Sequence, residues 1–286
     1  MNSKNVSSTI KQIMGQAISS KARRFTYCLI DDTSETKVGT AVAIKLGNRF
    51  FLATAAHVIK KAQSIKVVVR DQVRTHLSYF KNKHFEDCSD VGMLEIMPSD
   101  SHRFDFLSQH LLYKNIDDEE KLPAMVVGFP GQFCKAGKEI DLTIESIVRI
   151  VYCNTLTFHT LVVPRSKWPS EGLPDEDGMY KKLVDGRDML IDFEPEPEVI
   201  PFRPQSTGTE NPPVECKSLD PHGMSGGGIW LAQVKEGKEN IESPDARLIG
   251  LQTGWHPSKN LLHGIRIGVW LDVVRNKYPD LRNIVL

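Results

Sequence analysis

The sequence predicts a mostly-β fold, a barrel or sandwich of many short strands with a helix at each end. Three observations carry that prediction. Short β-rich runs follow one another from Phe25 onward, separated by Gly, Pro and Asp turns. Helical periodicity is confined to the two ends of the chain. At 286 residues, with 40% hydrophobic and 25% charged residues, the chain is long enough to bury one large core or two lobes that share an interface.

Ile10, Ile13, Met14, Ala17 and Ile18 fall at helical spacing among Ser, Lys and Gln, which predicts a short amphipathic helix over residues 5–20, packed on the outside of the body. Phe25–Ile30 reads as the first strand. Gly39–Ile44 and Arg49–Thr54, joined by Leu46-Gly47-Asn48, read as a hairpin. Further strands are expected at Ser64–Val69, Val91–Ile96, Ala124–Phe129, Leu142–Val151, Thr155–Val163, Met189–Phe193, Gly228–Leu231 and Leu248–Gln252. Gly268–Tyr278, with Val269, Leu271, Val273 and Val274, reads as the closing helix. Pro164–Pro213 differs in composition, with acidic and Pro-rich tracts at Leu173–Gly178 and Glu194–Glu198. It reads as a long excursion interrupted by one strand, either a solvated surface loop or a lid beside the active site.

Lys+Arg and Asp+Glu both number 36, so no net field favours nucleic acid or an anionic membrane, and neither is expected as a partner. Cys28, Cys88, Cys134, Cys153 and Cys216 are scattered and include no Cys-x-x-Cys pair; buried free thiols are expected. Residues 1–21 lack an apolar stretch of signal-peptide length, and no later run is long enough to span a bilayer, so a cytoplasmic location is the expectation.

Chemistry concentrates in three stretches that stand in the order His, Asp, Ser. Ser225 lies between Gly223 and Gly226-Gly227, before the apolar run Gly228–Leu231. Flanking glycines permit a tight turn and leave the amides of Gly223 and Ser225 able to converge on a developing oxyanion. His57 follows two alanines at the end of an apolar strand, with a short helix expected directly after it. Asp90 stands at the N-terminal edge of Val91–Ile96, where a carboxylate can be buried against His57. Glu86 and Asp87 belong to a polar run that reads as solvated. A serine hydroxyl needs an imidazole to take its proton, and the imidazole needs a carboxylate to hold its tautomer. Gly-x-Ser-x-Gly also matches the nucleophile elbow of α/β-hydrolases, with Asp245 and His256 or His263 as partners. Too little chain follows Ser225 for that fold, and alternating strands and helices are lacking upstream.

Together these residues resemble the trypsin/chymotrypsin-like serine proteases, especially their bacterial intracellular and HtrA-like branches, over most of residues 25–275. Thr54-Ala55-Ala56-His57 is similar to the family's Thr-Ala-Ala-His box, Asp90 to the acid before its Asp-hydrophobic-Ala/Gly-Leu strand, and Gly223-x-Ser225-Gly226-Gly227 to its nucleophile loop. Val127-Gly128-Phe129-Pro130-Gly131 is similar to a Gly-Tyr/Asn-Pro turn early in the second barrel. The resemblance implies two six-stranded antiparallel β-barrels with the active site between them. They would follow an N-terminal helical extension (1–24), with the first lobe over 25–118 and the second over 119–286. The second lobe would carry the long insertion 164–213 and the C-terminal helix.

The resemblance further implies a Ser-His-Asp endopeptidase acting on protein or peptide substrates without metal or organic cofactor. No His-Glu-x-x-His cluster is present. Thr253-Gly254-Trp255 would pair with an extended substrate backbone. Gln252 and Gly264 would lie near the primary specificity pocket, with Leu219 at its base. Met224 stands where secreted relatives carry an Asp that pairs with a newly cut N-terminus, and no Ile-Val-Gly-Gly sequence is present, so activation by that ion pair is excluded. Leu219 replaces an acidic residue and favours an apolar or small side chain before the scissile bond. The excursion, or a regulatory protein partner, would restrain the activity. Two alternatives remain open: an inactive domain of the same fold that binds extended peptides, and a hydrolase of non-peptide acyl groups.

Overall fold

The computed structural model describes residues 18–284 apart from 32–35, 63, 70–71, 74–79, 117–120, 132–133, 144–145, 154, 175–177, 194–219 and 234–244. A helix, α1, covers residues 18–24, four residues beyond the expected end. The rest of the expected helix and Glu194–Glu198 lie outside the described residues.

The first sheet contains β1 (Thr26–Asp31), β2 (Thr36–Leu46), β3 (Arg49–Ala55), β4 (Ile65–Val69), β5 (Gln72–Val73), β6 (Phe80–Glu86), β7 (Val91–Ile96) and β8 (Leu107–Ser108), with α2 (Ala56–Lys61) after β3. Its order is β5-β4-β1-β2-β3-β7-β6, with β8 joined in parallel to β2. Without the two-residue β5 and β8, six antiparallel strands remain and curl into a half-barrel. The expected hairpin is β2–β3, turning through Gly47 at φ +55°, a left-handed conformation that glycine adopts without penalty.

The second half-barrel is built from β9 (Pro123–Gly128), β12 (Leu156–Leu161), β15 (Asp188–Asp192), β16 (Gly228–Gln233), β17 (Asp245–His256) and β18 (Leu261–Arg266), in the order β12-β9-β16-β17-β18-β15. Between its strands the chain forms two separate hairpins, β10 (Cys134–Thr143) with β11 (Ser146–Cys153), and β13 (Leu173–Pro174) with β14 (Tyr180–Lys181). The strand expected over 142–151 is therefore corrected: it straddles the β10–β11 turn, which no Gly or Pro marks. The strand inside the excursion is β15. It pairs with β18 along its whole length, and its Asp188, Leu190 and Ile191 are fully buried.

The closing helix, α3, is Ile267–Lys277. It packs on the first sheet although it follows the second. Trp270 stacks edge-on against Phe51 at 6.0 Å, and its indole N–H donates to the Gly92 carbonyl at 3.2 Å. α1 does the converse: Ile18 and Ala22 enter the core beside Met125 and Trp230, and Arg23 Nε donates to Thr157 Oγ1 at 2.8 Å. One core thus runs through both half-barrels, with Val42, Phe51 and Met93 from the first and Met125, Trp230 and Leu251 from the second. Burying Trp230 and Trp270 removes on the order of 200 Å² of surface each, about 5 kcal/mol apiece at ~25 cal/mol per Å². His57, Asp90 and Ser225 are therefore carried on a single packed body.

Cys28 is buried and Cys88 exposed, and among the described residues neither forms a disulfide. Cys134 and Cys153 stand opposite each other in the β10–β11 register; their side chains, and Cys216, lie outside those described. Among the described residues no helix is long and apolar enough to cross a membrane.

Candidate active site

His57 is the second residue of α2, a helix of six residues whose N-cap, Ala55, offers no side chain to its orphan amides. Asp90 supplies the missing acceptors from across the sheet. Its carbonyl accepts the Ala56 N–H at 3.0 Å, its Oδ1 accepts the His57 N–H at 3.0 Å, and its Oδ2 accepts the His57 Nδ1–H at 2.8 Å. One aspartate thereby caps the helix and fixes the tautomer of the imidazole, leaving Nε2 to act as base. Asp90 adopts φ +48°, a left-handed conformation that few non-glycine residues tolerate and that aspartate tolerates better than most. That turn ends in the Asp90 N–H bonding the Asp87 carbonyl at 3.2 Å and leads straight into β7. The competitors are engaged elsewhere: Glu86 accepts from the Ser89 hydroxyl, and Asp87 pairs with Lys60 at 2.9 Å on the surface.

The loop around Ser225 is shaped by glycines and docked by backbone. Gly223 and Gly226 sit at φ +87° and +86°. The Gly226 N–H donates to the Gln252 carbonyl at 2.6 Å, and the Gln252 N–H donates to the Gly227 carbonyl at 2.8 Å, which joins the loop to β17. The Gly227 N–H closes the turn on Met224 O at 2.7 Å. Met224 is fully buried in the second barrel's core beside Gly128, an apolar anchor for the loop.

Thr40 of β2 joins the two halves. Its N–H donates to the Ser225 carbonyl at 2.8 Å, its hydroxyl donates to the Gly223 carbonyl at 3.1 Å and accepts the Phe129 N–H at 3.0 Å, and its carbonyl accepts the Thr54 hydroxyl at 2.7 Å. Thr54 lies three residues before His57, so Thr40 sets the height of the Ser225 loop against the strand that delivers the imidazole. Sequence reading did not single out Thr40. Its signal, a threonine in an apolar strand, is indistinguishable from an ordinary β-former. Among the described residues no hydrogen bond joins Ser225 Oγ to His57.

Gln252 is buried, with Nε2 donating to the Gly254 carbonyl at 2.9 Å and Oε1 without a hydrogen-bond partner among the described residues. Gly264 lies opposite Gln252 in the β17–β18 register, and a Cβ there would collide with Ile229, so this position faces the barrel wall. Thr253 and Gly254 form a bulge opposite His263; the Thr253 hydroxyl and His263 Nδ1 are 3.0 Å apart. Trp255 packs edge-on against Phe193 at 6.2 Å and His222 at 5.2 Å. Leu219 lies outside the described residues. Among the described residues no group of three His, Cys, Asp or Glu side chains could hold a metal ion.

No protein-family model matches the chain, and no curated protein matches it either.

Proposed function

We propose that the chain is a serine endopeptidase that cleaves protein substrates through an acyl-enzyme, with Ser225 as nucleophile, His57 as general base and acid, and Asp90 as the orienting carboxylate. The observation that carries this reading is the double grip of Asp90 on His57, through both the ring and the backbone, beside a glycine-shaped serine loop docked on Thr40. Ser225 Oγ attacks the peptide carbonyl while His57 Nε2 accepts its proton. The same proton passes to the leaving amine, and water then hydrolyses the ester by the reverse relay. The amides of Gly223 and Ser225 serve the oxyanion, worth about 3 kcal/mol per donor in comparable sites. Burial of Met224 sets the loop without a newly cut N-terminus, so cleavage of the chain is not needed to switch it on. The trypsin-like family, a cytoplasmic location and gating by the excursion belong to the same proposal.

Fluorophosphonate labelling of the whole chain tests it. Wild type is expected to label, while Ser225→Ala and His57→Ala are expected to abolish labelling; folded wild type that does not label overturns the reading. A peptide-binding domain without turnover is the second reading. The absence of a Ser225–His57 hydrogen bond among the described residues is the observation in its favour.

A further inference from the structure

A second carboxylate–imidazole pair lies in the second barrel, and nothing in the proposed reaction uses it. His263 of β18 places Nε2 3.2 Å from Asp188 Oδ1 of β15, and Nδ1 3.0 Å from the Thr253 hydroxyl of β17. Asp188 is fully buried. Its Oδ1 also accepts Arg187 Nε at 2.9 Å, while its Oδ2 accepts Arg187 Nη2 at 2.8 Å and the Val184 N–H at 2.6 Å. Arg187 then reaches out of its own barrel: Nη1 donates to the Cys88 carbonyl at 3.3 Å, in the turn that ends at Asp90.

Both ends of this chain of contacts meet the candidate active site. Thr253 directly follows Gln252, whose backbone is bonded on both sides to the Gly226-Gly227 segment of the Ser225 loop. Cys88 lies two residues before Asp90.

The chemistry also gives the contacts a direction. Asp188 opposite Nε2 makes that nitrogen the donor, so in neutral His263 Nδ1 is the acceptor and the Thr253 O–H donates to it. The titratable and charged groups around His263 are Asp188 from β15, with Arg187 behind it, and His256 from β17, whose ring lies 6.4 Å away.

We propose that Thr253, His263, Asp188 and Arg187 form an inter-barrel brace that positions the Asp90 loop against the Ser225 loop. The four are positioning residues, and their role rests on the assignment of His57, Asp90 and Ser225 given above.

Two readouts on the full chain separate the brace from that assignment. Imidazole NMR follows the titration of His57 whether or not the protein turns over substrate, and fluorophosphonate labelling rate against pH follows Ser225. In Arg187→Met the His57 ring resonances and titration midpoint are expected to move, with partial return in Arg187→Lys. In His263→Gln the neutral-pH labelling rate is expected to fall roughly tenfold, the scale of a sub-ångström misplacement. Thr253→Val, which keeps the shape and removes only the hydroxyl, repeats the test if either variant folds poorly. His57 resonances and midpoint that superimpose on wild type in Arg187→Met and Thr253→Val overturn the brace. Failure of wild type to label overturns the hydrolase reading instead, and the NMR result still decides the brace.

Discussion

Two aspartate–histidine pairs, one in each half-barrel, use the same hydrogen-bond grammar with opposite settings. In the first, Asp90 holds His57 through Nδ1 at 2.8 Å, and the two side chains are 31% and 32% exposed. In the second, Asp188 faces His263 through Nε2 at 3.2 Å, and the exposures are 1% and 21%. Among the described residues no arginine pairs with Asp90, whereas Asp188 is clasped by Arg187 on both oxygens. A partly exposed pair whose second ring nitrogen lies outside it can exchange a proton with an incoming group. A buried pair with its carboxylate locked by a guanidinium and a backbone amide is suited to hold neighbouring elements in place.

The largest effect that would break this contrast is expected at Asp90. Asp90→Asn keeps an acceptor for the His57 amide and suits φ +48° at least as well, so the thermal midpoint should hardly change. The imidazole tautomer would be wrong, and labelling or turnover should fall about 10⁴-fold. Asp188→Asn should behave in the opposite sense: it removes one partner of a buried pair, costs on the order of 3 kcal/mol of stability, and lowers the rate far less. Equal rate losses in the two variants, measured beside their melting curves, would erase the distinction between a reacting pair and a holding pair.

A smaller effect is expected in the loop that faces the first pair. Gly226 stands at φ +86°, and a Cβ there would collide with the Thr40 carbonyl and the Thr54 hydroxyl. Gly226→Ala should therefore push the Ser225 loop off its dock, slowing labelling about 10²-fold through misplacement and costing roughly 1–3 kcal/mol in backbone strain. Gly178, also at positive φ but with open space around it, is the control, and Gly178→Ala should leave labelling unchanged.

The first pair was legible in the sequence and the second was not, for a physical reason. His57 and Asp90 each sit at a strand end beside small or apolar neighbours, and the Ser225 loop carries its glycines within five residues, so local chemistry announces all three. Thr40, Arg187, Asp188 and His263 acquire partners only when the barrels close, across separations of 183 residues for Thr40–Gly223, 99 for Arg187–Cys88 and 75 for His263–Asp188. The fold shows the same division. β7 and β15 were readable within a residue because their apolar runs are continuous. β6, Phe80-Lys81-Asn82-Lys83-His84-Phe85-Glu86, is a half-exposed edge strand and presents only a polar run. β18 was missed because Leu261–Arg266 breaks its apolar pattern at His263-Gly264, the residues its neighbours β15 and β17 require.

The smallest of these effects separates the pairs by acid rather than by mutation. Burial alone would raise the Asp188 carboxyl, but hydrogen bonds from His263, Arg187 and the Val184 amide outweigh it and hold the group at about 2, against an ordinary 3.8. A depressed carboxylate contributes stability that is fully present above pH ~4 and is lost as pH falls toward 2, here about 2 kcal/mol. His256, beside His263, is held at about 4 by burial and by the neighbouring imidazole, against an ordinary 6.5. The unfolded chain takes up that proton first, so stability should already decline as pH falls from about 6.5 to 4. Urea unfolding followed from pH 7 to pH 2 should then show two successive losses. His256→Gln should remove the upper one, and Asp188→Asn should shrink the lower one from a less stable starting point, since hydrogen bonds also hold Glu95 below its ordinary value. Asp90→Asn should leave both in place, and a change in either window in that variant would show that the two pairs are one electrostatic unit rather than a reacting site and its support.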